Sequence, residues 1–176
     1  TYVPTEYFTA YRKWWEEVHN VSFKEEWMVF SNGIVAAISS IIRKLTNVGD
    51  SIVIQSPVYN CFFSSIKDNN RNVVLNELVY ENGAYHIDYQ DLEEKLSRTD
   101  VKMFILCNPH NPIGMMWEKE DLVKIGNLCL KYNVLVISDE IHCDFVDPGL
   151  NYIPFSTINA EFLNNSITCI STSKTF

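Results

Sequence analysis

Two stretches of this sequence are apolar at almost every position and short: Val101-Lys102-Met103-Phe104-Ile105-Leu106-Cys107 and Val134-Leu135-Val136-Ile137-Ser138. A strand with one wet face alternates apolar and polar residues, whereas a strand covered on both faces does not. Between the two runs, residues 118 to 132 place Leu122, Ile125, Leu128 and Cys129 at helical spacing. Parallel strands need a crossover, and the crossover helix covers one face of their sheet. The expected fold class is therefore α/β, a three-layer αβα arrangement with a mainly parallel sheet.

The rest of the chain fits that frame. Residues 5 to 20 predict an amphipathic helix through Tyr7, Phe8, Tyr11, Trp14, Trp15 and Val18. Trp27 to Phe30 reads as a short strand, broken by Ser31-Asn32-Gly33. Ile34 to Leu45 reads as a helix with Ile34, Ala37, Ile38, Ile41, Ile42 and Leu45 inward. Ser51 to Gln55 is a strand ended by Ser56-Pro57, and Tyr59 to Ile66 a short helix. Val73 to Leu78 is a further strand. Asn82-Gly83 signals a hairpin between Tyr80 and Tyr85. Asp88 caps a helix running to Leu96. Residues 144 to 166 are loop-rich with a short helix. Ser166 to Ile170 is a final strand, before Ser171-Thr172-Ser173-Lys174-Thr175-Phe176. No linker or repeat divides residues 1–176, so one domain is expected.

Composition narrows the partners. Net charge is −8 and no basic stripe appears, which disfavours nucleic acid and anionic membranes. No apolar run approaches the roughly 20 residues of a membrane-spanning helix. Residues 1 to 6 have neither the basic start nor the apolar core of a signal peptide. The five cysteines, at 61, 107, 129, 143 and 169, include no CxxC pair. Reduced, mostly buried thiols in a cytoplasmic protein suit that pattern better than disulfides or a metal site. A domain rarely stops two residues after a strand-edge lysine, so a piece of a longer chain is expected.

Four loops beside predicted elements carry chemistry. In Ser31-Asn32-Gly33 the glycine permits close backbone approach, and the N–H groups of Gly33, Ile34 and Val35 face a ligand position at a helix start. The same turn also occurs without any ligand. In Asn108-Pro109-His110-Asn111-Pro112-Ile113-Gly114 two prolines fix the backbone, leaving an asparagine to address a ligand or close an Asx turn. Ser138-Asp139-Glu140-Ile141-His142 puts a carboxylate at a strand end, as a helix cap, an ion-pair partner or a partner for a protonated cofactor ring. Lys174 follows an apolar strand among small hydroxyl residues. It is either a solvated loop lysine or an amine with lowered pKa that attacks a carbonyl.

Taken in order, these loops, with Tyr59 between the first two, resemble the fold-type I pyridoxal-phosphate enzymes, the class I/II aminotransferase superfamily. Asn111-Pro112-Ile113-Gly114 is similar to the family's Asn-Pro-x-Gly, Asp139 to its pyridine-nitrogen aspartate and Lys174 to its Schiff-base lysine. The strings CNPHNPIG and SDEIHCD most resemble the cystathionine β-lyase-type C–S lyases, the MalY/PatB subgroup. Many aminotransferases have tyrosine where this chain has His142. The resemblance implies the large, cofactor-binding domain, with the C-terminal small domain absent, and pyridoxal 5'-phosphate as cofactor. It implies that Lys174 holds the cofactor and later moves the substrate's α-proton, and that Asp139 keeps the ring nitrogen protonated. Tyr59 would stack on the ring, and Asn111, assisted by His142, would hydrogen-bond its phenolic oxygen. Gly33, Ile34 and Val35, with the Ser171 hydroxyl, would hold the phosphate. A homodimer acting on a small amino acid is implied, with cystathionine or a related cysteine S-conjugate split to pyruvate, ammonia and a thiol. An aminotransferase on the same fold is the alternative, and a non-catalytic regulatory domain a further one.

Overall fold

Residues that alternate along each central strand go to opposite faces of one sheet in the computed structural model, which describes residues 3–176. In chain order the elements are α1 (Thr5–His19), α2 (Ile34–Leu45), β1 (Ser51–Ser56), α3 (Cys61–Lys67) and β2 (Asn72–Glu77). A hairpin of β3 (Val79–Glu81) and β4 (Ala84–His86) follows, then α4 (Tyr89–Leu96), β5 (Val101–Cys107) and α5 (Lys119–Lys131). The chain continues with β6 (Leu135–Asp139), α6 (Ala160–Asn164) and β7 (Ser166–Cys169). Single 3-10 turns occupy Glu25–Trp27, Phe155–Thr157 and Thr172–Lys174.

The main sheet has the order β2-β1-β5-β6-β7, and every pairing in it is parallel. Ile52, Ile54, Met103, Ile105 and Ile137 meet Ile38 and Ile42 of α2 and Phe62 and Ile66 of α3 on one face. Val53, Val74, Phe104, Leu106 and Val136 meet Leu92, Leu96, Leu122, Ile125 and Phe162 on the other. The sheet is thus the middle of three layers. Each fully buried Ile, Leu or Phe stabilises that arrangement by about 1.5–3 kcal/mol relative to exposure. The layer of α5 and α6 is especially close: a Cβ on Gly126 would lie 2.3 Å from the Phe162 ring. Phe162 in turn stacks on Phe155, with centroids 5.1 Å apart.

Local signals explain the element ends. The Asp88 carboxylate accepts from the Asp91 N–H at 3.0 Å and starts α4. Asn82 and Gly83 both have positive φ, as a two-residue hairpin loop requires, and Tyr80 pairs with Tyr85 beside it. The expected strand at Trp27 to Phe30 does not form. Glu25–Trp27 is one 3-10 turn, and the following residues join no ladder. Val29 is 90% exposed, so this run has no buried face to hold it in a sheet. Helix α3 begins at Cys61 rather than Tyr59. Of the six apolar residues expected to face inward from α1, only Trp15 is buried.

Candidate active site

The strand order creates a crevice. From β1 the chain runs outward to β2, then crosses back over β1 to enter the sheet at β5. The loops after β1 and β5 therefore leave adjacent strands in opposite directions, and such switch points bind ligands at the C-terminal strand ends. The β1 loop carries Tyr59 and the β5 loop carries Asn111. Tyr59 is 38% exposed and meets Phe62 edge-on at 5.9 Å. The Asn111 N–H donates to Cys107 Sγ at 3.4 Å. The buried His110 ring joins the two loops, with Nε2 2.9 Å from the Pro57 carbonyl oxygen.

Asp139 ends β6 in the next position. It is in register with Cys107 on one side and Cys169 on the other. Both cysteines belong to the core under α2 and α3, so the carboxylate lies on that face between two thiols. Its one hydrogen bond is from the Ile141 N–H, at 3.2 Å. Burial raises its carboxyl from the ordinary 3.8 to about 6, against the smaller opposing effect of Ile141. Burial, and then the charge of Asp139, pushes Cys107 and Cys169 up to about 12. The Tyr59 hydroxyl is raised chiefly by its neighbour Cys61, and Asp139 adds to the effect.

His142 and Lys174 complete the strand-end group. Burial, followed by the Lys174 ammonium, holds His142 below its usual range. Lys174 ends the turn Thr172–Lys174 and is exposed. Ser171 caps that turn: its hydroxyl accepts from the Ser173 N–H at 3.2 Å and donates to Ser173 Oγ at 2.9 Å. Gly33 stands at the start of α2 with φ of 107°, and no side chain caps the helix. The first N–H groups of the helix, at Gly33, Ile34 and Val35, have no acceptor within it. A Cβ at Gly33 would touch nothing within 4 Å, so the helix start opens on free space. Helix α2 packs on the Asp139 face of the sheet.

Two further acids of the same segment are structural in ways that sequence spacing does not reveal. Glu140 is fully buried; it accepts from Ser138 Oγ at 2.7 Å, from the Phe155 N–H at 3.1 Å and from the Tyr152 hydroxyl. Burial still raises it to about 7. Asp144 accepts from Trp14 Nε1 at 3.3 Å and from Thr175 Oγ1, and pairs with His19 Nε2 at 2.7 Å. It thereby clasps α1 to the residue after Lys174. His19, Cys143 and Asp144 have metal-ligand chemistry, with ligand atoms within 4.8 Å of one another. Protein donors already occupy both Asp144 oxygens.

All 176 residues match the family model for aminotransferase class I and II. The chain belongs to that family. It is 44% identical to cystathionine beta-lyase PatB of Bacillus subtilis (strain 168), over 93% of this chain and 42% of that protein. The crystal structure of cystalysin from Treponema denticola, which contains a pyridoxal 5'-phosphate cofactor, superposes with a TM-score of 0.96 at 35% identity. That match covers 100% of this chain and 45% of that one. The asparagine–oxo-acid transaminase of Streptococcus mutans serotype c is 28% identical, over 95% of this chain and 42% of that protein. The chain thus spans less than half the length of the relatives it matches. Among the described residues, no helix is long and apolar enough to cross a membrane.

Proposed function

We propose that this chain is the cofactor-binding part of a pyridoxal-phosphate C–S β-lyase. Its substrates would be L-cystathionine or related cysteine S-conjugates, and its products pyruvate, ammonia and a thiol. The observation that carries the reading is Asp139, a buried carboxylate with one backbone donor and no cationic partner among the described residues, at the mouth of the switch-point crevice. A buried carboxylate without a cation is costly, and a protonated pyridine nitrogen supplies that cation. The other residues fit the group as well. The uncapped start of α2 at Gly33, Ile34 and Val35 suits a phosphate. Tyr59 and Asn111 border the crevice, and Lys174 lies within electrostatic reach of His142. Similarity to PatB and cystalysin supports lyase chemistry in particular.

When bound, pyridoxal phosphate supplies an electron sink for charge released at the substrate's α-carbon. Lys174 Nζ would hold the cofactor and would serve as the general base for the α-proton. Asp139 would keep a proton on the ring nitrogen through its carboxylate. Tyr59 would cover one ring face. The Asn111 side chain, with His142, would orient the ring by its phenolic oxygen. Gly33, Ile34 and Val35 N–H groups and the Ser171 hydroxyl would hold the phosphate, Ser171 giving up its contact with Ser173 to do so. The five free cysteines, four of them buried, support a cytoplasmic setting, and the family supports a homodimer.

The runner-up is an aminotransferase, favoured by relatives such as the Streptococcus mutans enzyme. Incubating the full-length protein with cystathionine separates the readings. Pyruvate released without any keto acid supports the lyase. Amino-group transfer that requires a keto acid supports the aminotransferase. Neither reaction, with cofactor still bound, supports a non-catalytic domain.

A further inference from the structure

We propose that His110 is a positioning residue that latches the Tyr59-bearing loop to the Asn111-bearing loop across the crevice; the inference rests on the pyridoxal-phosphate reading above. His110 is 2% exposed. Its backbone is committed to its own loop: the N–H donates to Met115 O at 2.6 Å, and the carbonyl accepts from the Gly114 N–H at 2.9 Å. Only the ring reaches outward. Its Nε2 lies 2.9 Å from the Pro57 carbonyl, and a carbonyl oxygen can only accept, so Nε2 carries the proton. Burial holds the ring below its usual pKa, which keeps it neutral with a single N–H to give. That N–H goes to Pro57. Nδ1 is buried and makes no hydrogen bond of ordinary geometry, although the Cys107 carbonyl acts on the ring in the same direction as that of Pro57. Trp117 fixes its plane, edge-on at 5.6 Å.

Among the described residues, this is the one hydrogen bond between residues 57–60 and the β5 loop. Tyr59 lies two residues beyond Pro57, and Asn111 is the neighbour of His110. The latch therefore sets the separation of the wall that would cover the cofactor ring and the wall that would hydrogen-bond its edge. Removing it lets the two walls move independently. The donor atom matters here, and the charge of the ring does not.

The test uses full-length His110→Gln, His110→Asn and His110→Leu. Glutamine places its Nε2 at the reach of the imidazole Nε2; asparagine is one atom short, and leucine has no donor. In cofactor-free protein, amide exchange is read at Phe62 and Phe63, whose N–H groups bond to the carbonyls of Tyr59 and Asn60. Binding of pyridoxal phosphate and its visible circular dichroism are then measured. His110→Gln should match wild type. His110→Asn and His110→Leu should exchange about tenfold faster and bind the cofactor about tenfold more weakly, as loss of one buried hydrogen bond implies. Wild-type behaviour of the Asn and Leu variants overturns the latch, as does a Gln variant no better than Leu. If the variants do not fold, nitrogen NMR of wild-type His110 near neutral pH decides. The neutral Nε2–H form supports the latch, and the Nδ1–H form or the imidazolium overturns it. Wild-type protein that binds no pyridoxal phosphate would defeat the proposed function, while the exchange measurement would still judge the latch.

Discussion

Replacing Asp139 with asparagine should stabilise the cofactor-free protein while abolishing most of its activity. The variant keeps an oxygen for the Ile141 N–H and removes only the charge. In the folded chain the carboxyl is raised from 3.8 to about 6, a rise equivalent to roughly 3 kcal/mol at 1.36 kcal/mol per pH unit. Below the unfolded value both states are protonated, and the carboxyl costs nothing. As pH rises towards 6 the unfolded chain ionises first, so stability falls; above about 6 the loss is complete. Asparagine never ionises and escapes it. Glu140 titrates in both proteins, and loss of the Asp139 charge eases its ionisation, which adds to the gain at high pH. Urea unfolding of cofactor-free protein near pH 8 should favour Asp139→Asn by about 1–3 kcal/mol, and near pH 3.5 the two proteins should agree. Added pyridoxal phosphate should reverse the order, because only the carboxylate gains a cation. Turnover by the variant should fall by orders of magnitude, since the ring nitrogen loses the charge that keeps it protonated. A stability difference independent of pH would refute the reasoning.

Gly126→Ala should destabilise by about 1–3 kcal/mol in urea unfolding, because overlap with Phe162 at 2.3 Å outweighs the roughly 1 kcal/mol gain in helix propensity. Asp88→Ala should cost about 1 kcal/mol by the same assay, through loss of the α4 cap. Asp144→Ala should cost about 2–4 kcal/mol, since Trp14, His19 and Thr175 all lose their acceptor. Limited proteolysis should then cut near Lys174 faster than in wild type.

The architecture is legible because its evidence is local. The almost wholly apolar runs at Val101–Cys107 and Val134–Ser138 admit little besides a doubly covered strand, and Asp88 and Asn82-Gly83 mark their own turns. Trp27 to Phe30 misleads because apolar content alone does not supply a neighbouring strand. At the candidate site, Asn111, Asp139, His142 and Lys174 stand out because each ends or follows one of the adjacent strands β5, β6 and β7. The roles of Glu140, Asp144 and His110 are invisible to spacing. Their partners lie elsewhere in the chain: Pro57 is 53 residues from His110, and Trp14 is 130 from Asp144. Nor does the sequence alone place Cys107 and Cys169 on either side of Asp139, because that depends on register.

The Asp144 clasp also sets a schedule for synthesis. Helix α1 is complete at His19, yet the acceptor for Trp14 and His19 lies 125 or more residues later. At the usual 5–20 residues per second, α1 waits roughly 6–25 s for that acceptor to be made. Throughout that interval Trp14 and Trp15 have no finished surface to cover them. The lysine turn, joined to the same carboxylate through Thr175, arrives later still. The N-terminal helix and the turn that carries Lys174 are therefore docked late, against one carboxylate. Nascent chains halted before residue 144 should show α1 open to protease, and chains extended past Thr175 should show it closed.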